Sequence, residues 1–300
     1  MQRRSSVRRR SFTRDFIGQG LAVLPDNYVK LAPTRRFIEA VRKERHFGPH
    51  LFLSEDTFRK CPERKGVNPM PGRNLLEGHD MSFLLDSPPV RSVLTAILGP
   101  QWYVLDAKLV AAIPYLWLPS YVKQDIKDTK VPNLGCYMKP EYRDITYFHG
   151  IDWHQDLIDY PSRESDFVTL YFYPEPVGYE DSPLRVLQGS HLPGATVFPH
   201  GVTRISTDVW SYRDSFYVPR ILMGPAGSMA IWHGCALHGT VGTTNEGSNR
   251  VSVRYVIARH PDVMSGTAMG AANRRIRMAG GRLSLRETRV DLDESGKAKA

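Results

Sequence analysis

From residue 151 onward, apolar and polar positions alternate in short runs, the period-two pattern of strands with one buried face. Residues 166–173 (DFVTLYFY) alternate around β-branched and aromatic side chains. Residues 184–187 lead into a Gln188-Gly189-Ser190-His191 turn, residues 221–232 carry the bend Gly224-Pro225-Ala226-Gly227, and residues 250–257 (RVSVRYVI) close the series. Many short strands between Gly/Pro turns predict a sandwich or barrel of jelly-roll type. Upstream the pattern is mixed. Residues 16–25 (FIGQGLAVLP) read as a short strand containing a glycine turn. A helix follows from about 32 to 44, with Phe37, Ile38 and Val41 on one face, and residues 48–80 read as a loop. Pro88-Pro89 leads a helix over 90–98 that Gly99-Pro100 stops, and the apolar, β-prone run 102–113 ends at Pro114. The predicted architecture is mainly β with flanking helices around a double-stranded β-helix (jelly-roll, cupin-like) core.

The segment 114–150 reads as a long irregular insertion, with Lys123, Lys127, Lys130 and Lys139 among aromatics. Insertions of this length in a compact domain usually have a function, and it is expected to cover the site as a lid. Residues 1–15 read as a basic, disordered tail with six arginines before the first acid, Asp15, and residues 286–300 as a second disordered tail. Between them, residues 16–285 form a single predicted domain.

Composition adds little beyond this. The net charge of +9 is concentrated in the N-terminal arm, so the body gives no strong push toward nucleic acid. Arg9-Arg10-Ser11-Phe12 suggests a twin-arginine signal, but polar residues follow where an apolar core should be. No apolar run reaches the ~20 residues needed to cross a bilayer. The cysteines Cys61, Cys136 and Cys235 are widely spaced and lack a Cys-x-x-Cys pair, which favours a reducing cytoplasm over a disulfide framework.

The candidate chemistry lies in two places. His154 and Asp156 are two residues apart, so on a strand or its edge they project to one side. His238, in the run 231–240 (IWHGCALHGT), can complete a face of two imidazoles and a carboxylate. That set, with positions left open, suits non-haem Fe(II) activating O2. His233 competes with His238; His238 is preferred because His-Gly, Asn245 and Arg250 then form a coherent hairpin from metal to anion clamp. His149 and His191 read as loop histidines near the site. Alternation places Arg250, Ser252 and Arg254 on one face of the last strand. Two arginines inside a closed sheet are costly unless an anion meets them, so Arg250 is expected to pair with a carboxylate, with Ser252 assisting. The alternative is that this face is the solvent-exposed side of the sheet. Arg254, Tyr171 and Trp232 are candidate substrate contacts.

These residues resemble the phytanoyl-CoA dioxygenase-like (PhyH) family of Fe(II)- and 2-oxoglutarate-dependent oxygenases. His154-Gln155-Asp156 looks like that family's metal motif and 184–191 (LRVLQGSH) like its strand and "PGSH" turn. His238-Gly239-Thr240-Val241-Gly242 looks like the stretch carrying the distal metal histidine, and Arg250 falls where the 2-oxoglutarate arginine is expected. The match spans roughly residues 100–260. The resemblance implies Fe(II) held by His154, Asp156 and His238, with 2-oxoglutarate as co-substrate bound by Arg250 and Ser252. It also implies O2-dependent oxidation of a C–H bond in a small molecule, with natural-product metabolism as the expected setting. The sequence departs from the family in Asp181-Ser182-Pro183, which replaces the common "ENG". Ile113 precedes Pro114 where a lysine is frequent, Lys108 lying earlier on the strand. Asp156 stands where halogenating relatives have Gly or Ala, which favours hydroxylation. Three other readings stay open: an acyl-CoA oxygenase, a nucleic-acid oxygenase of the same superfamily, and a non-catalytic or zinc-binding jelly roll. The nucleic-acid group tends to carry arginines six apart, whereas Arg250 and Arg254 are four apart.

Overall fold

In the computed structural model, residues 2–60, 74–247, 249–261 and 266–286 are described. The chain opens with α1 (Gln2–Gln19) and β1 (Leu21–Leu24), then α2 (Leu31–Glu44), α3 (Glu55–Lys60), α4 (Ser82–Leu85) and α5 (Pro88–Leu98). After β2 (Trp102–Ala112) come α6 (Ser120–Ile126), β3 (Thr146–Phe148), β4 (Ile151–His154), β5 (Phe167–Phe172) and β6 (Leu184–Leu187). The remaining strands are β7 (Thr203–Arg204), β8 (Trp210–Tyr212), β9 (Ser215–Tyr217), β10 (Pro219–Leu222), β11 (Met229–His233), β12 (His238–Thr240) and β13 (Arg250–Arg259). Helix α7 (Ala268–Met278) follows.

Two sheets build the core. The larger has the order β1-β11-β5-β13-β2-β3 and the smaller β10-β6-β12-β4; β7, β8 and β9 form a separate small sheet among the described residues. The non-consecutive strand orders are those of a double-stranded β-helix, as the alternation predicted. One face of the large sheet presents Leu109, Val168, Leu170, Ile231, Val251, Val253 and Ile257 to α1, α2 and α5. The other presents Val110, Tyr171, Ala230 and Trp232 to Leu184, Val186 and Leu222 of the small sheet. Strand β13 is therefore covered on both sides, and Arg250, Ser252 and Arg254 are all buried. The solvent-exposed alternative for that face is overturned: it looks toward the small sheet, on the side of Tyr171 and Trp232, while helices cover the opposite, apolar face.

Several upstream expectations also change. Most of the tail expected to be disordered is helical within α1, where Phe12, Phe16 and Ile17 pack on the core and Phe16 is fully buried. The strand expected from residue 16 begins at Leu21, after Gly20 (φ 67°) ends the helix. The insertion 114–150 is more regular than expected. It contributes α6 and β3, which pairs parallel with β2, and its Leu118, Tyr121, Val122 and Tyr147 join the main core. Residues 48–60 and 74–80 carry α3 and short turns of helix in place of a plain loop. Ahead of the second expected tail, α7 has Met269, Ala272 and Ile276 buried, and the Thr267 hydroxyl caps its N-terminus by accepting the Gly270 amide at 3.1 Å. The disorder expected for 286–300 concerns residues that, apart from Arg286, lie outside the described ones. Among those residues, no helix is long and apolar enough to cross a membrane.

Candidate metal centre

Strand register brings the two histidines together. His238 on β12 is the direct cross-strand partner of His154 on β4, and their rings lie 4.2 Å apart between centroids. The approach depends on Gly239, where a Cβ would sit 2.6 Å from the Ile151 carbonyl oxygen. Gln155 is extended (φ −106°, ψ 140°), so His154 and Asp156 face the same way while Gln155 faces the opposite one. Gln155 anchors the turn: its Nε2 donates to the Gly194 and Cys235 carbonyls at 2.9 Å each, and its Oε1 accepts from the Thr196 amide at 3.0 Å.

The imidazoles are oriented from behind. His154 Nδ1 lies 3.0 Å from the Asp152 carbonyl and His238 Nδ1 3.0 Å from the Ala236 carbonyl. A carbonyl only accepts, so each bond places the hydrogen on Nδ1 and leaves the Nε2 lone pair free. Burial, first of all, lowers the His238 pKa to about 3, with Asp156 pulling the other way, so the ring is neutral. The 3.6 Å approach of His238 Nε2 to Asp156 Oδ2 is then two ligand atoms facing a common point, not an ion pair.

Asp156 is held by three donors from the large sheet. Thr169 Oγ1 (2.6 Å) and Trp232 Nε1 (2.9 Å) donate to Oδ2, and Arg254 Nη2 donates to Oδ1 at 2.6 Å. Thr169 and Trp232 are cross-strand partners on β5 and β11, so one row of the sheet supplies both. Burial opposes the charged carboxylate, but Arg254 first of all, with the Thr169 bond, holds it well below the usual carboxylate range. Ligand atoms of His154, Asp156 and His238 lie within 4.8 Å of one another and could hold a metal ion. Two imidazole nitrogens and one carboxylate oxygen on a single face are the kind of facial donor set that suits non-haem iron.

The three line a cavity of about 590 Å3, within the usual range for small-molecule sites. Arg250, Arg254, Lys108, Tyr171, Trp232 and Thr146 line it as well. Arg250 donates to the Ser182 carbonyl and at 3.4 Å to the Tyr171 hydroxyl, and packs against the rings of Tyr171 and Tyr173. Its Nε has no partner, and no carboxylate pairs with it among the described residues. A buried guanidinium in a cavity without a carboxylate partner has donor capacity that an anion can take up. Ser252 is fully buried with an unpartnered hydroxyl, but it is not among the residues lining the cavity.

Other sequence candidates fall differently. Arg254 is not free for a substrate: besides Asp156 it reaches Asp106 at 3.2 Å and Asp159 at 3.4 Å. Trp232 lines the cavity and stacks on Tyr171, while its N–H is committed to Asp156. His233 does not compete with His238. Its Nε2 donates to Asn273 Oδ1 at 2.8 Å and its Nδ1 accepts the Cys235 amide at 3.1 Å, away from the cavity. His191 packs 5.5 Å from His233, and His149 bonds the Ile113 carbonyl. Sequence reading missed Thr169 as a carboxylate donor and Thr146 and Asp106 as cavity residues. Thr169 was findable, since strand alternation puts it on the same face as Tyr171.

The fold is a jelly roll, and one of its cavities holds a His-Asp-His donor face that suits non-haem iron together with an arginine that has no carboxylate partner. Residues 138–251 match the family model for phytanoyl-CoA dioxygenase (PhyH), which bears out the resemblance read from the motifs. Among solved structures, the chain is similar to the non-haem α-ketoglutarate-dependent epimerase SnoN from nogalamycin biosynthesis. That match has a TM-score of 0.53 and 12% identity over 85% of this chain and 84% of that one. The same epimerase in complex with Fe3+, α-ketoglutarate and nogalamycin RO matches at 0.52 and 12%, over 87% and 93% of the two chains. The apo non-haem monooxygenase ThoJ matches at 0.50 and 14%, over 90% and 98%. At these identities the likeness is one of fold. No curated protein matches the chain in sequence.

Proposed function

We propose that the protein is an Fe(II)- and 2-oxoglutarate-dependent oxygenase that hydroxylates a C–H bond of a small molecule in natural-product metabolism. The observation that carries this reading is the coexistence, in one 590 Å3 cavity, of the His154/Asp156/His238 donor face and the unpaired Arg250 guanidinium. Iron with 2-oxoglutarate and O2 would supply the oxidising equivalent, the co-substrate being converted to succinate and CO2.

The chain's own residues do the rest. His154 and His238 would bind the metal through Nε2, with their tautomers set by the Asp152 and Ala236 carbonyls. Asp156 supplies the anionic ligand, kept ionised by Arg254 and aimed by Thr169 and Trp232. Arg250 takes the far carboxylate of the co-substrate, and Tyr171 flanks it. Val110, Phe148, Ile158 and Leu184 give the cavity apolar walls that keep water from the reacting carbon.

The deciding experiment is an anaerobic titration of metal-free protein with Fe(II) and then 2-oxoglutarate, followed by visible absorbance. A weak charge-transfer band that needs both components is the expected result. Tight Zn(II) binding with no such band would move the assignment to the zinc-binding or non-catalytic jelly roll.

A further inference from the structure

A second cleft, of about 760 Å3, lies beside the first. Ile151 and Thr240 line both, so the two are neighbours across one residue layer. Between them runs the segment around 130–133. Val131 and Asn133 line the inner cavity, while Lys130 and Pro132 line the outer cleft. This wall is held to β4 by the Asp152 amide donating to the Lys130 carbonyl at 2.8 Å.

The outer cleft is basic. Lys123, Lys127, Lys130 and Arg185 line it against Asp128 and Asp152. Lys130 pairs with Asp152 at 3.3 Å in an exposed contact, and Lys123 lies over the Tyr115 ring at 4.6 Å. Arg185 is half-buried on β6, its guanidinium 4.8 Å from the Trp153 ring centroid and 5.7 Å from that of Trp210. It makes no hydrogen bond or ion pair among the described residues, and its buried Nε is without a partner. Two indoles flank the planar group while leaving its Nη donors unspent, an arrangement in which arginine can recognise an oxyanion. Nothing in the triad, the Arg250 pocket or the inner cavity uses this arginine.

We propose that the outer cleft binds an oxyanion group carried by the substrate (phosphoryl, sulfuryl or carboxylate), with Arg185 and Lys127 as its principal contacts. The substrate then spans both spaces, its anion in the basic cleft and its reacting carbon in the inner cavity. This placement rests on the oxygenase reading, whereas the anion site itself does not.

The test separates the two. Full-length protein is titrated with inorganic pyrophosphate while tryptophan fluorescence is followed, since Trp153 and Trp210 flank Arg185. The expected result is a saturable signal that weakens at least tenfold in R185Q and severalfold in the exposed-site variant K127Q. It should persist in H154A, in which the metal site is broken. Binding unchanged in both R185Q and K127Q, or lost in R250A instead, would overturn the site. A second arm adds paired compounds with and without an anionic group and measures 2-oxoglutarate consumption. Stimulation by the anionic members alone, lost in R185Q, supports a substrate-borne group; equal stimulation by both members overturns it. Persistent pyrophosphate binding with no iron and 2-oxoglutarate absorbance band would sink the oxygenase reading and leave the anion site standing.

Discussion

At the scale of single residues, the centre depends on how one carboxylate is held. Asp156 is buried, and desolvation alone would neutralise it; Arg254 at 2.6 Å reverses that balance. Because Arg254 also reaches Asp106 and Asp159, it keeps anionic partners even when Asp156 turns toward a cation. Arg254→Gln is expected to weaken metal binding about tenfold to a hundredfold, the usual cost of losing an outer partner of a ligand. A Co(II) titration of the folded variant measures this, and unchanged affinity would mean Arg254 serves the sheet alone. Arg250→Ala should act in the opposite sense, leaving metal affinity intact while 2-oxoglutarate binding loses about 2 to 5 kcal/mol, a factor of about 30 or more. Loss of metal with co-substrate affinity unchanged would contradict its assignment. The clustering of the candidate triad and the interior face of Arg250 could be anticipated from residue spacing because each lies on or beside a regular strand. The double role of Arg254 was not, since a residue's face can be deduced from alternation but its partner on another sheet cannot.

At the scale of elements, the metal face is a product of register. His154 meets His238 because β12 runs antiparallel to β4 with those residues opposite, and Gly239 lets the backbones close. Gly239→Ala puts a methyl 2.6 Å from the Ile151 carbonyl, where backbone must move. We expect metal affinity to fall by at least tenfold, on the order of 1.4 kcal/mol or more. The small sheet should still form, which Co(II) titration alongside far-UV circular dichroism would show. Strands with strict alternation, such as β5 and β13, were legible within a residue or two at their starts. The helices α1 and α7 were not: their apolar anchors, Phe12, Phe16 and Ile17 in one and Met269, Ala272 and Ile276 in the other, are spread among arginines whose charge dominates the local pattern.

At the scale of the whole molecule, burial of histidines away from the centre makes the fold acid-sensitive. Burial first, and the neighbouring His233, lower the His191 pKa to about 3; burial lowers that of His233 to about 4 despite its bond to Asn273. Both folded values lie below the ordinary 6.5. The unfolded chain therefore takes up protons that the folded one excludes as pH falls below 6.5, and stability is full above that point and declines beneath it. At pH 5 each histidine costs about 2 kcal/mol. The melting temperature of metal-free protein should thus drop clearly between pH 7.5 and 5, and His233→Gln should flatten the dependence. A profile that is flat in the parent chain would refute this account.

By itself the sequence determined the β-rich class, the parity that aligns His154 with Asp156 and Arg250 with Arg254, and the order of the candidate metal and anion residues along the chain. These follow from local geometry, two residues per strand repeat, and need no knowledge of neighbours. Only the tertiary structure decided which face of β13 was interior, that His233 bonds Asn273 while His238 faces the cavity, and that Arg254 serves Asp156. It also decided that Arg185 stands unpaired between two indoles above a second cleft. Those outcomes depend on which strands of the two sheets come to lie together. Long-range pairing brings residues far apart in sequence within bonding distance, and no local pattern encodes it.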